Sequence, residues 1–218
     1  MREFDALPVY PPATRIANRT IKNRIAASYR DREFYEGDRQ NGFGGMKDDG
    51  RWGAVAEHLI KVYNLTSESQ VLQVGCHKGF LLAELFKRGI GVRGTEVSDY
   101  AISQVPLEIQ PFIRKSPFHK IPFGPKEFDL VLCMNNVYCL TLGDSIKCLR
   151  QINRVTRGTS FITLMSYETQ EEYWLLLKWC LLWGVMLTKS EWLEVLNHVG
   201  YKGDYFFETA GHLGLVEG

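Results

Sequence analysis

Excess charge is what this 218-residue sequence most lacks: 26 Lys and Arg stand against 25 Asp and Glu, a net charge of +1. A surface that tracks a nucleic-acid backbone needs a basic surplus, so nucleic acid is not the expected partner, and a local basic patch stays open. Cysteine is sparse and shows no pairing pattern. The five thiols (Cys76, Cys133, Cys139, Cys148, Cys180) are scattered, odd in number and without a CxxC spacing. That argues against a disulfide frame and a zinc site and for reduced thiols, with no metal expected. No apolar run is long enough to span a bilayer: the stretch Tyr173–Leu187 is too short and carries Lys178 in its middle, which reads as a buried or interface helix. The first fifteen residues lack the apolar core of a secretory leader, so a cytoplasmic location is expected. Repeats and low-complexity tracts are absent. What remains, 45% hydrophobic and 23% charged, fits one globular domain with a small appendage.

That appendage is residues 1–40. Pro8, Pro11 and Pro12 keep its start extended, and Thr14–Tyr29 is expected to wind into a helix. The stretch is basic, with Arg2, Arg15, Arg19, Lys22, Arg24 and Arg30 against Glu3 and Asp5. Either this is a solvated helix face or it contacts an acidic partner or substrate. The following segment, EGDRQNGFGGMKDDGRW, is too rich in Gly and Asp for a regular element, yet it holds Phe43, Met46 and Trp52, as an ordered loop closing over something does.

From Trp52 onward, strands alternate with helices. Helical spacing marks Ala54–Tyr63, Phe80–Arg88, a helix from Asp99 ended by Pro106, Gly143–Val155 and Ser190–Val199, the last with Ser190 as N-cap. Strands are expected at Gln70–Val74, Val92–Val97, Pro111–Lys115, Phe128–Met134, Ser160–Met165 and Tyr201–Glu208. The alternation implies an α/β fold, a doubly wound and mostly parallel sheet with helices on both faces.

In such sheets ligands sit at the carboxyl ends of the strands. The first strong strand runs into VLQVGCHKGF, where Gly75 and Gly79 flank a tight turn that lets backbone approach a ligand. Glu96 ends the second strand, where a carboxylate accepts hydrogen bonds from both ribose hydroxyls of an adenosine cofactor. The two features together carry more than either alone.

On these residues the chain resembles the class I S-adenosylmethionine (SAM)-dependent methyltransferases. VLQVGCHKGFLLAEL is similar to the family's first motif and GTEVSDYAI to its second; IPFGPKEFDLVLCMNNVYCL and DSIKCLRQINRVTRGTSFITLMSY resemble the fourth strand and the helix–strand pair after it. GFGGMKDDGRW and GYKGDYFFE also resemble a bacterial subgroup that acts on small-molecule or sugar-type acceptors. The resemblance implies a single Rossmann-like domain over residues 41–218 with an antiparallel last strand and a lid-like helical insertion at about 168–189. It further implies SAM as cofactor, held by Gln73, Gly75, Cys76, Gly79, Glu96, Val97 and Asn135. Two departures stand out. Gln73 replaces the usual acidic residue of the first motif and His77 a usual glycine, which leaves His77 either a passenger or a functional group beside the methyl-transfer site. Ser116-Pro117-Phe118 stands where an acidic residue is usual, and Phe118 is expected to cover the adenine.

Methyl transfer needs alignment, and a base only when the acceptor must lose a proton. Tyr138 and Tyr167, after the fourth and fifth strands, are the other candidate catalytic groups; each is equally a structural tyrosine. Arg51 is expected near the SAM carboxylate, with Phe43 or Trp52 as a cap. Trp174, Trp179 and Trp183 fit core or homodimer contact, or an apolar acceptor pocket. The leading expectation is methyl transfer to a small-molecule or sugar-type acceptor at oxygen. A non-catalytic SAM-fold module for binding or dimerisation, and an RNA or protein methyltransferase, stay open beside it. A nicotinamide oxidoreductase is disfavoured because its phosphate loop needs a glycine where His77 stands.

Overall fold

A computed structural model describes residues 1–8 and 13–218; the expectations for Pro11 and Pro12 lie outside the described residues. In chain order the strands are β1 (Arg2–Glu3), β2 (Arg15–Ala17), β3 (Gln70–Val74), β4 (Gly91–Glu96), β5 (Ile113–Lys115), β6 (Phe128–Cys133), β7 (Thr156–Tyr167), β8 (Leu187–Thr188), β9 (Asp204–Glu208) and β10 (Leu215–Glu217). The helices are α1 (Ile21–Ser28), α2 (Arg32–Glu36), α3 (Arg51–Tyr63), α4 (Phe80–Lys87), α5 (Asp99–Ser103), α6 (Leu142–Val155), α7 (Gln170–Trp179) and α8 (Lys189–His198).

The main sheet runs β1-β9-β7-β6-β3-β4-β5, with β8 pairing β7. Alternation along the strands splits the core into two layers. Val71, Leu130, Leu132 and Phe161 pack with Val55, Leu59, Leu81 and Leu85 of α3 and α4. Leu72, Val131, Cys133 and Ile162 pack on the other face with Leu149 and Ile152 of α6 and Trp192 and Leu196 of α8. Trp192 is fully buried, and its indole N–H donates to the Met165 carbonyl at 2.9 Å, so the largest core side chain leaves no polar atom unpaired. No helix among the described residues is long and apolar enough to cross a membrane.

The helix expected across Tyr173–Leu187 ends at Trp179, and three further local expectations change. The helix expected from Thr14 begins only at Ile21, because Arg15–Ala17 pair in parallel with Leu215–Glu217. Thr188 caps α8 in place of Ser190, accepting from the Glu191 N–H in a capping box. The third correction matters for function. The last strand of the main sheet is parallel, Phe161–Met165 of β7 pairing in register with Asp204–Glu208 of β9, and every strand pairing among the described residues is parallel. The cause is the crossover through α8, which returns the chain to the starting edge before β9 begins. The carboxyl end of β9, at Glu208, therefore emerges on the same edge as the ends of β3, β4, β6 and β7.

Candidate functional site

The strand order reverses direction between β3 and β6: β4 follows β3 on one side, β6 lies on the other. A cleft of about 660 Å³ opens there, lined by Gln73 of β3 and His77 after it and by Met134, Asn135 and Asn136 after β6. Tyr138, Thr163 and Glu208 also line it, with Arg51 and Trp52 from the first turn of α3.

At the turn after β3, Gly75 and Gly79 have φ of +73° and +74°. A Cβ on Gly75 would sit 2.2 Å from the Asn136 amide nitrogen, so both conformation and space demand glycine. Asn136 is buried and donates to the carbonyls of Met134 at 2.7 Å and Val74 at 3.2 Å. Its own amide oxygen and that of Gln73 are buried without a partner. Two orphaned acceptors beside a glycine turn suit the ammonium end of an amino acid, which donates hydrogen bonds.

His77 occupies the same turn at φ +52°, a left-handed conformation costly for a residue with a Cβ. Its side chain explains the placement: Nδ1 meets the Tyr35 hydroxyl at 3.1 Å. Burial holds the imidazole below its ordinary pKa, against the pull of Glu96. The next residue, Lys78, is buried and pairs with Glu36, and it donates to the Met46 carbonyl at 2.8 Å. His77, which stands where the pattern has a glycine, and its neighbour Lys78 thus latch α2 and the following loop onto the turn. Tyr35 is fully buried, its burial and the nearby Glu96 charge push its phenol upward, and its ring stacks on Phe43 at 5.6 Å and meets Tyr100 at 5.8 Å.

Under this cover lies Glu96. It is fully buried, and backbone N–H groups take both its oxygens: His77 donates to Oε2 at 2.8 Å, Val97 and Ser98 to Oε1 at 2.8 and 3.0 Å. The carboxylate stands at the strand end expected for a ribose acid and in this conformation serves the turn. Cys76 and Phe118, 3% and 2% exposed, are likewise closed off from the cleft, with the Arg30 guanidinium 5.4 Å over the Phe118 ring. Burial pushes the Cys76 thiol up.

The other end of the cleft is built from β6, β7 and β9. Asn135, at φ +58°, donates its backbone N–H to the Thr163 hydroxyl at 2.9 Å. With its amide nitrogen toward β9, the orientation that satisfies both ends, Asn135 donates to Glu208 Oε2 at 2.5 Å and Oε1 at 3.2 Å. Burial, reinforced by the Asp5 charge, pushes the Glu208 carboxyl up to about 7, against the opposing pull of Arg15 and the Asn135 bond. A carboxyl that titrates near neutrality at a cleft floor is equipped to exchange a proton.

Of the residues singled out from sequence, Gln73, His77, Asn135, Tyr138 and Arg51 meet at the cleft; Glu96, Val97, Cys76, Gly75, Gly79 and Phe118 lie at or behind the covered turn. Arg51 pairs with Asp49. Tyr138 is 6% exposed, and burial pushes its phenol well above the usual value, which makes it a poor base. Tyr167 packs edge-on against Tyr173, and it is not among the residues lining the cleft. Glu208 was missed. Its only signal was the final position of the last predicted strand, which a parallel orientation brings into the site.

A family model described as a methyltransferase domain matches residues 72–164. The chain is similar to the solved YcgJ protein from Bacillus subtilis, at 16% identity over 66% of each chain with a TM-score of 0.55. It is also similar to the CcbJ methyltransferase from Streptomyces caelestis, at 23% identity over 62% of this chain and 56% of that one, TM-score 0.47. The chain therefore spans less than two thirds of either relative. Comparison with curated proteins gives no match. The fold is the Rossmann-like, mostly parallel α/β fold of the class I methyltransferases, and SAM is the cofactor that the matched domain implies. The orphaned Gln73 and Asn136 oxygens suit the amino end of that cofactor, and Glu96 stands buried beside Tyr35 at the end of β4.

Proposed function

We propose that the protein transfers a methyl group from SAM to the oxygen of a small-molecule or sugar-type acceptor. The observation that carries this reading is the meeting, in one cleft at the switch point of a methyltransferase-type sheet, of the Gly75 turn with a carboxyl poised near pH 7. When bound, SAM supplies an electrophilic methyl group on a sulfonium. Gln73 and Asn136 accept from its amino group, the Gly75–Gly79 turn gives it room, and Glu96 binds the ribose hydroxyls. Arg51 approaches its carboxylate, and Val97, Cys76 and Phe118 bound the adenine side. Glu208, held by Asn135, accepts the proton of the acceptor hydroxyl, a task worth about 10²–10⁴ in rate. Tyr138 and His77 wall the acceptor space. The five unpaired cysteines support a reducing, cytoplasmic setting.

The closed corner around Glu96 also suits a second reading, a non-catalytic SAM-fold module. Calorimetric titration with S-adenosylhomocysteine separates the two. Micromolar binding that is retained in Glu208→Gln, together with product formation lost in that variant, supports the enzyme. No binding at millimolar concentration overturns the enzyme and leaves the non-catalytic module.

A further inference from the structure

The chain as a whole is balanced in charge, and its cleft is not. Six cationic side chains line it against two carboxylates, and one of those, Asp49, is already paired with Arg51. The surplus concentrates around a single indole. The guanidinium carbons of Arg19, Arg39 and Arg15 lie 4.1, 5.3 and 5.7 Å from the centre of the Trp179 ring. None of the three forms an ion pair among the described residues. Arg19 is fixed by carbonyls, donating to Trp179 at 2.7 Å and to Arg39 at 3.0 Å, and Arg39 donates to Gly42. The positions of Arg19 and Arg39 are thus set by the fold and do not depend on a counter-charge.

Like charges gathered in a partly desolvated space repel, and proteins tolerate this where an anion arrives to relieve it. The strain registers on Arg19, whose pKa burial and the charges of Arg39 and Arg15 push down to about 10. The cage shares its space with the reacting end of the cleft, since Arg15 is also the cation that draws down the Glu208 carboxyl. One cofactor carboxylate is too little charge for this lining, and Arg30, whose charge reaches the His77 imidazole, stands nearer the glycine turn.

We propose that the acceptor carries an oxyanion, a carboxylate or a phosphate, seated between Arg15, Arg19 and Arg39 on the Trp179 face. This rests on the methyltransferase reading for the word acceptor, and the site itself is testable without it. The basic stretch near the N-terminus thereby gains a role inside the cleft. An oxyanion bridging two guanidiniums there leaves the remainder of the molecule directed toward Asn135 and Glu208.

The test is titration of the full-length protein with inorganic phosphate and, separately, acetate, in wild type, Arg15→Gln and Arg15→Gln/Arg39→Gln, with circular dichroism to check folding. Saturable phosphate or acetate binding that weakens at least tenfold in the double variant and at least threefold in the single one is expected. S-adenosylhomocysteine affinity should stay within twofold. Tighter phosphate than acetate assigns a phosphate ester; the reverse assigns a carboxylate. Absence of saturable binding of either anion, or binding unchanged by both variants, overturns the proposal. So does a tenfold loss of S-adenosylhomocysteine affinity with 5′-methylthioadenosine unaffected, which makes the cage a cofactor carboxylate site. Should S-adenosylhomocysteine fail to bind wild type while the anion effect holds, the methyltransferase reading falls and the anion site stands.

Discussion

The two halves of the cleft are built on opposite principles. Around Glu96 the charged groups and their cover are satisfied from within: three backbone N–H groups on the carboxylate, Tyr35 on His77, Glu36 on Lys78. Facing the open cleft, polar groups stand ready for something else: orphaned amide oxygens on Gln73 of β3 and Asn136, a Glu208 carboxyl near neutrality, and Arg15, Arg19 and Arg39 without ion pairs among the described residues. A self-satisfied half is stable and must be opened for a ligand to enter. An unsatisfied half costs stability and is preorganised for one. The closed half carries the cofactor motif, and the open half carries the chemistry that distinguishes this chain.

The comparison breaks most visibly at Glu96. Substituting alanine leaves three N–H groups in a buried corner without acceptors, at roughly 1–3 kcal/mol each. Glu96→Ala should therefore lose about 3 kcal/mol or more of stability in chemical denaturation, as well as S-adenosylhomocysteine binding. A variant as stable as wild type removes Glu96 from its role in the turn. On the open side, Glu208→Gln should leave stability and S-adenosylhomocysteine affinity nearly unchanged while lowering turnover about a hundredfold.

Glu208 also fixes the sign of two pH effects. Its folded pKa of about 7 exceeds that of a free carboxylate, so the native state holds the proton that the unfolded chain gives up. The contribution of Glu208 to stability is thus complete at acid pH and declines as pH climbs toward and through 7. Activity moves the other way, rising as Glu208 deprotonates near pH 7 beside Asp5, Arg15 and Asn135. Denaturation midpoints and initial rates across pH 5–9 check both, and Glu208→Gln should flatten both near pH 7.

Smaller effects sharpen the contrast. His77→Gly relieves a left-handed backbone and cuts one latch of the cover, so S-adenosylhomocysteine should bind equally well or up to about tenfold tighter, a shift of about 1.4 kcal/mol. Loss of turnover with affinity preserved makes His77 catalytic instead. Arg51→Ala removes one partner of an exposed ion pair. It should weaken S-adenosylhomocysteine more than 5′-methylthioadenosine, which lacks the carboxylate; equal effects on both place Arg51 away from that group.

The covered half was legible in the sequence to the extent that it is local. Gly75, Gly79 and Glu96 lie within one strand–turn–helix–strand unit, and β3, α4 and β4 fall within a residue or two of their expected bounds. What covers that unit was not legible, because Tyr35 and Glu36 meet His77 and Lys78 across some forty residues, and no periodicity encodes that contact. The start of α1 failed for the same reason, since β2 takes its partner from the far end of the chain. The orientation of β9 is a different case. A helix between two strands already favours a parallel return, and the family resemblance drew the expectation toward an antiparallel strand. Following the local rule brings Glu208 to the site.

The most direct test is the structure of the full-length protein with S-adenosylhomocysteine bound. The account predicts the ribose hydroxyls on the Glu96 carboxylate with Tyr35 displaced from its contact with His77, and the homocysteine amino group between Gln73 and Asn136. Glu208 should stay at the open end of the cleft beside Asn135. Ribose bound elsewhere with Tyr35 still against His77, or the homocysteine end turned away from Gln73 and Asn136, contradicts it.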